Sequence, residues 1–270
     1  MPAVKLSFGE VLSESVSFFF SHLSLFFHLV TIPWILSLLL RVVGDLLLTE
    51  SPLAMLIEKA ADSIPSVMFM VGWMRVVLVG PARVGQLPGR SWSARESAFF
   101  IHLLKIAGIT YLLLAGFTLT AGSIDPAVLG QVPIDPELAR REAMAAPLGT
   151  GFIISALLAL RVSFGLAATA VDLPFSPRQS WALSRGNAWT IMGVLFVIFF
   201  ASAIATLVAA LVPLSLIGGL FDSRLAAAII AWTAGTLVSY GGAALAATAQ
   251  AIIFRRLTGW REGAVVAPES

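Results

Sequence analysis

The sequence predicts an all-α protein, a polytopic membrane helix bundle of six transmembrane helices. Hydrophobic residues make up 58% of the chain and charged residues only 12%, whereas roughly a quarter of the residues of soluble domains are charged. Six segments are also mostly apolar over about 20 residues, the length that a helix needs to cross a bilayer. Because these segments do not alternate between apolar and polar residues, they favour helices over a membrane β-barrel.

The elements follow in order within a single integral membrane domain, residues 1–270. An interfacial helix is predicted over residues 7–21, because its apolar residues fall on one helical face. The transmembrane helices are predicted at residues 23–48, 64–84, 98–121, 148–171, 188–220 and 225–254. The second is the weakest since Arg75 interrupts it, and the fifth is long enough to tilt or to bend at Pro213.

The distribution of lysine and arginine predicts the orientation. Nine of these residues lie on the side that holds both termini and five on the other side, which also carries most of the loop carboxylates. Basic loops stay in the cytoplasm, so both termini are expected there. Every carboxylate is predicted to lie in a loop or a terminal segment.

Two further loops on the same side could each hold a short interfacial helix. In the second of them, Ser176 before Pro177 is typical of a helix N-cap, and Gly186 of a helix end. Trp92, Trp181 and Trp189 are predicted anchors in the interface, where indole is favoured. An ordinary amphipathic start to each spanning helix explains the same patterns equally well.

Two short internal sequence matches suggest three repeated hairpin units. Aligning Arg75 with Arg161 pairs Leu87-Pro88 with Leu173-Pro174, and a Leu-Ala-Ala-Thr-Ala run occurs at residues 166–170 and 245–249. Chance matches in a chain rich in alanine and leucine are an equally good explanation. The fourth and sixth spans also carry small residues at every fourth position, which predicts that they pack at the centre of the bundle.

Three cations within the spans are candidate contacts for a ligand or a lipid: Arg75, Arg161 and Lys105. A charge within the bilayer usually faces a partner or a wet cavity, so Arg75 and Arg161 could line a site for an anionic group. The alternative, which we favour slightly, is that the arginines reach the headgroups or bond to neighbouring helices. Lys105 is expected to extend to the interface.

Other function classes find no support in the sequence. No phosphate-binding loop, zinc-protease motif or nucleophile elbow is present, so we expect no enzymatic activity and no catalytic residue. The chain has no cysteine, and its three histidines have no metal-ligand spacing, so neither a metal site nor a cofactor is expected. A net charge of +2 is too small for a nucleic-acid partner.

The run from Leu173 to Trp189, with its Ser-Trp, Arg-Gly-Asn and final Trp, resembles a segment of a group of six-helix bacterial membrane proteins. That group includes the membrane domain attached to some glycerophosphodiester phosphodiesterases and many stand-alone relatives. The Arg-Arg-Leu-Thr-Gly after the sixth span is similar to the usual ending of the group. The resemblance implies a location in the bacterial plasma membrane. It implies no activity, because the phosphodiesterase domain is absent.

The sequence leaves three hypotheses for function. The first is a non-catalytic membrane protein that binds lipid headgroups or a partner protein, a second copy of itself included. The second is a transporter or channel component with a polar cavity at Arg75 and Arg161. The third is the membrane anchor or regulatory subunit of a separate enzyme.

Overall fold

The computed structural model describes residues 5–47, 52–81, 92–122, 151–217 and 224–261. These ranges are helical and contain no strand. The helices are α1 Phe8–Ser21, α2 Leu23–Leu47, α3 Pro52–Val79, α4 Ala94–Gly122, α5 at residues 151–162, α6 Phe164–Ala170, α7 Pro177–Leu183, α8 Ala188–Ile217 and α9 Arg224–Thr258. A turn at Ser163 separates α5 from α6.

Six segments of these helices are long and apolar enough to cross a membrane, which confirms the predicted number. They are Leu23–Gly44, Ile57–Val79, Ala94–Phe117, Gly151–Ala170, Ala188–Ser215 and Ala228–Thr258. The chain order places the turn between α1 and α2 and the loop that holds α7 at one end of the bundle, which we call the near end. The far end is where α2 and α8 end and α3 and α9 begin.

The second span differs from its prediction. Its helix begins at Pro52 instead of Ile64, so Glu58, Lys59 and Asp62 lie on α3 and not in a loop. The helix ends at Val79, because the next residue, a glycine, adopts a positive φ of 92°. Several predicted features lie outside the described residues: one end of four spans, Leu87-Pro88, and the basic residues Arg83, Arg90, Arg140 and Arg141.

The two short near-end helices each begin at a serine N-cap, which the sequence predicts for α7. Ser176 caps α7 through a capping box with Gln179, and Pro177 occupies the first turn. Ser7 caps α1 by accepting from the backbone N–H of Glu10. Each cap satisfies backbone N–H groups that the first helical turn leaves without a partner, so both helices start at fixed residues.

The core forms around α9, which packs against α1, α2, α3, α6 and α8. Ala244 and Ala247 on α9 are fully buried, so neighbouring backbones approach closely there. The predicted central position of the sixth span is thus confirmed. In the fourth span only α6 is buried on almost all sides, whereas α5 is half-buried along most of its length. The most buried span is the second, and the spans in α4 and α8 are the least buried.

Candidate functional site

Arg75 lies at the near end in a cluster of three charges. Its Nη1 donates to the backbone oxygen of Ala170 at 3.1 Å and lies 3.8 Å from Asp172 Oδ2. Asp172 also binds Arg95 through both carboxylate oxygens, and the Arg95 Nε–Oδ1 distance is 2.9 Å. Asp172 follows α6 in the left-handed conformation, with φ of 58°, which places its carboxylate between the two arginines. The cluster therefore ties α3 and α4 to the end of α6.

Arg161 has a different environment. Its guanidinium lies over the ring of Trp181, 4.1 Å from the ring centroid. The hydroxyl of Ser180 donates to the backbone oxygen of Arg161 at 2.5 Å, so α7 packs back against the end of α5. The gap between Arg161 and Ile191 has no volume accessible to a water-sized molecule. These contacts agree with a structural role, and ligand binding by Arg75 and Arg161 stays a prediction.

The remaining sequence candidates are spread over the surface of the near half. Lys105 is exposed on α4, one turn from His102, whose ring packs against Gly165 of α6. Trp92, Trp181 and Trp189 are all exposed at the near end. This exposure is what an interfacial anchor needs, but the anchoring role itself stays a prediction.

Two carboxylates of α1 fix it to the last turns of α9. Glu14 pairs with Arg255 at 2.9 Å and with Arg256 at 2.6 Å, and Glu10 pairs with Arg256 at 3.0 Å. At the start of α1, the backbone N–H of Leu6 donates to Asn187 Oδ1 at 2.9 Å. These bonds hold α1 across the near end of α8 and α9. Partly exposed ion pairs of this kind each contribute up to about 1 kcal/mol.

A second candidate site is a cavity at the other end of the bundle, between α2, α3, α8 and α9. It has a volume of about 220 Å³. Four charged residues line it: Arg41 of α2 and Glu58, Lys59 and Asp62 of α3. The helices also contribute hydroxyl groups from Ser37, Thr206, Thr236 and Ser239. We call this space the far-end cavity.

The four charges of the far-end cavity are not all paired. Arg41 Nε lies 3.7 Å from Glu58 Oε1. Within the described residues, Lys59 and Asp62 have no ion pair within 4.0 Å, and Asp62 Oδ1 is buried without a hydrogen-bond donor. On the wall beside them, Ser37 bonds the hydroxyl of Tyr240 at 2.7 Å. One cation and one anion thus remain available at the same cavity.

This site was missed because the sequence prediction that every carboxylate lies in a loop or a terminal segment was wrong for Glu58 and Asp62. The sequence does contain a local signal for polar faces on the two helices. Ser37 and Arg41 are four residues apart, as are Glu58 and Asp62, so each pair shares one helical face. The small-residue stripe of the sixth span continues this polar surface through Gly235 and Ser239.

No family model, curated protein or solved structure matches this chain. The resemblance of the loop at residues 173–189 to a six-helix bacterial group therefore stays a prediction. The fold itself defines the class: the chain is a multi-pass integral membrane protein with a charged cavity near one end of its spanning helices.

Proposed function

We propose that this chain is a non-catalytic membrane protein that binds the head group of a lipid in the far-end cavity. It acts in the bacterial plasma membrane with both termini in the cytoplasm, so the cavity belongs to the outer leaflet. The observation that carries the proposal is the position of four charged side chains around one 220 Å³ space within the spanning helices. Ionisable groups inside a membrane protein are costly, and a bound polar group is a good reason to retain them.

The depth of the cavity suits a lipid head group. Asp62 lies five residues after Ile57, where the second span starts, and therefore about 8 Å along the helix from that end at about 1.5 Å per residue. A head group that sits slightly deeper than its neighbours in the leaflet would reach this level while its acyl chains stay in the bilayer.

The packing of the helices supports entry from the bilayer. In the described residues, α8 makes its main helix-to-helix contacts with α9 and α1 and none of comparable extent with α2 or α3, although all four large helices line the cavity. The cavity is therefore packed less closely between α8 and the α2–α3 pair than between α8 and α9. Leu36 of α2 and Leu207 of α8 are exposed beside the lining residues Ser37 and Thr206, and they offer apolar surface to acyl chains.

The proposal is tested by filling the cavity. Ser239→Phe places a ring in the space, and Ser215→Phe is the matched control, because Ser215 is exposed near the far end of α8 and does not line the cavity. Each detergent-purified protein is examined by native mass spectrometry for retained lipid. We expect wild type and Ser215→Phe to retain a bound lipid and Ser239→Phe to lose at least about half of it, since a filled cavity excludes the head group.

The fold of each variant is checked by helical circular dichroism and by its melting temperature. If Ser239→Phe is folded and retains the same lipids in the same amounts as wild type, the far-end cavity is not the lipid site.

A further inference from the structure

The charges of the far-end cavity point to one class of head group. We propose that the cavity selects a primary ammonium linked to a phosphate, as in a phosphoethanolamine head group, with Asp62 accepting from the ammonium and Lys59 binding the phosphate. This inference rests on the proposed function and adds a specificity to it.

The charge balance is the first step. Arg41 and Glu58 neutralise each other across the cavity, 3.7 Å apart. What remains is one cation, Lys59, and one anion, Asp62, neither with an ion pair in the described residues. A ligand that carries both charges balances Lys59 and Asp62, whereas a ligand with a net charge would leave one of the two without a partner. An unpaired Asp62 carboxylate is costly, because its Oδ1 atom is buried without a hydrogen-bond donor.

The second step concerns the type of cation. Asp62 Oδ1 is buried and receives no hydrogen bond. A carboxylate oxygen in this position needs a donor, and a primary ammonium offers three N–H groups. A quaternary choline ammonium offers none. Asp62 therefore favours ethanolamine over choline, even though Trp232 in the cavity wall could attract either cation.

The third step concerns the anion and the size. Lys59 lies two residues after Ile57, where the second span starts, and is exposed. The end of a span is the level at which a lipid phosphate is expected. Lysine binds phosphate as a mobile point charge. A volume of 220 Å³ equals that of about seven liquid waters, which accommodates an ethanolamine phosphate group but not acyl chains.

The test compares lipid classes in competition. The full-length protein is placed in nanodiscs of equal parts phosphatidylethanolamine, phosphatidylcholine and phosphatidylglycerol, extracted into mild detergent, and the retained lipids are counted by native mass spectrometry. We expect wild type to retain phosphatidylethanolamine about tenfold over phosphatidylcholine, the ratio that one charge-assisted hydrogen bond supports. In Asp62→Asn this ratio falls to about two or less.

Two further variants separate specificity from folding. Glu10→Gln makes the same change from carboxylate to amide at the near end, where Glu10 is exposed, and should keep the wild-type ratio. Lys59→Gln should lower the retention of both zwitterionic lipids without changing their ratio, because both carry the phosphate that Lys59 binds.

The outcomes distinguish this inference from the proposed function. Equal retention of the two zwitterionic lipids by wild type, a preference for choline, or an unchanged ratio in folded Asp62→Asn overturns the ammonium assignment. The lipid-binding function itself still stands in those cases if Ser239→Phe loses lipid. Free O-phosphoethanolamine is added in a final arm. Displacement of the lipid by this compound identifies a soluble amine phosphate as a sufficient ligand, and resistance to displacement identifies the lipid as the source; both results support the ammonium site.

Discussion

The indole of Trp73 makes a buried interhelical hydrogen bond whose strength can be measured. Trp73 on α3 is fully buried, and its Nε1 donates to Thr248 Oγ1 of α9 at 2.9 Å. The threonine hydroxyl in turn donates to the backbone oxygen of Ala244 at 2.8 Å. This bond joins the most buried span to the central helix, so its loss should weaken the whole bundle.

Thr248→Val removes the acceptor and leaves the indole N–H without a partner. In a water-soluble protein, an orphaned buried donor costs about 1–3 kcal/mol. Inside a bilayer the average for interhelical bonds is nearer 0.6 kcal/mol, with a maximum of about 1.7, since unassembled helices find other partners. For a fully buried pair with a 2.9 Å bond we expect about 1 kcal/mol, which is about a fivefold change in the unfolding equilibrium constant.

The assay is a double-mutant cycle with Trp73→Phe, which removes the donor. The free energy of unfolding is measured for all four proteins by circular dichroism in mixed micelles with rising fractions of sodium dodecyl sulfate. Trp73→Phe also loses ring contacts with Phe69 and Phe26, but the cycle subtracts that loss. Thr248→Val should destabilise wild type and have little effect in the Trp73→Phe protein. Equal effects in the two backgrounds would refute the assigned bond.

Two further predictions concern backbone positions. A side chain at Gly242 of α9 would meet Ser202 of α8 at 2.5 Å, so Gly242→Leu should lower the melting temperature by several degrees, whereas Gly108→Leu, with open space around its Cβ, should change it little. Asp172→Ala and Asp172→Gly both remove the carboxylate that binds Arg95, but alanine is strained at φ of 58° and glycine is not. The alanine variant should be less stable in urea or heat by about 1–2 kcal/mol, and equal stability would contradict the left-handed backbone.

Helix starts and ends were predictable wherever the determining signal is local. The capping box of Ser176 and Gln179 and the positive φ of Gly186 depend only on a few successive residues. The second span was an exception at its start. Glu58, Lys59 and Asp62 lower the local hydropathy, so the sequence placed them in a loop, whereas the helix continues through them because their side chains face a polar cavity.

Partners across the bundle were not predictable from the sequence. Arg75 and Arg161 occupy matched positions when their two spans are aligned, but their environments differ. Arg75 lies 3.8 Å from Asp172, whereas Arg161 stacks on the ring of Trp181. Matched positions in two spans say nothing about which residues the neighbouring helices bring beside them.

The sequence by itself determined the class of this protein, the number of its spanning helices and the central place of the last one. Those properties depend on hydropathy and on residue spacing within one helix, and both can be read directly from the sequence. Only the tertiary structure decided that Arg41 of α2, Asp62 of α3 and Ser239 of α9 face a common cavity. Each of these residues is a single polar side chain on its own helix, and their meeting depends on how four helices rotate and pack around one another.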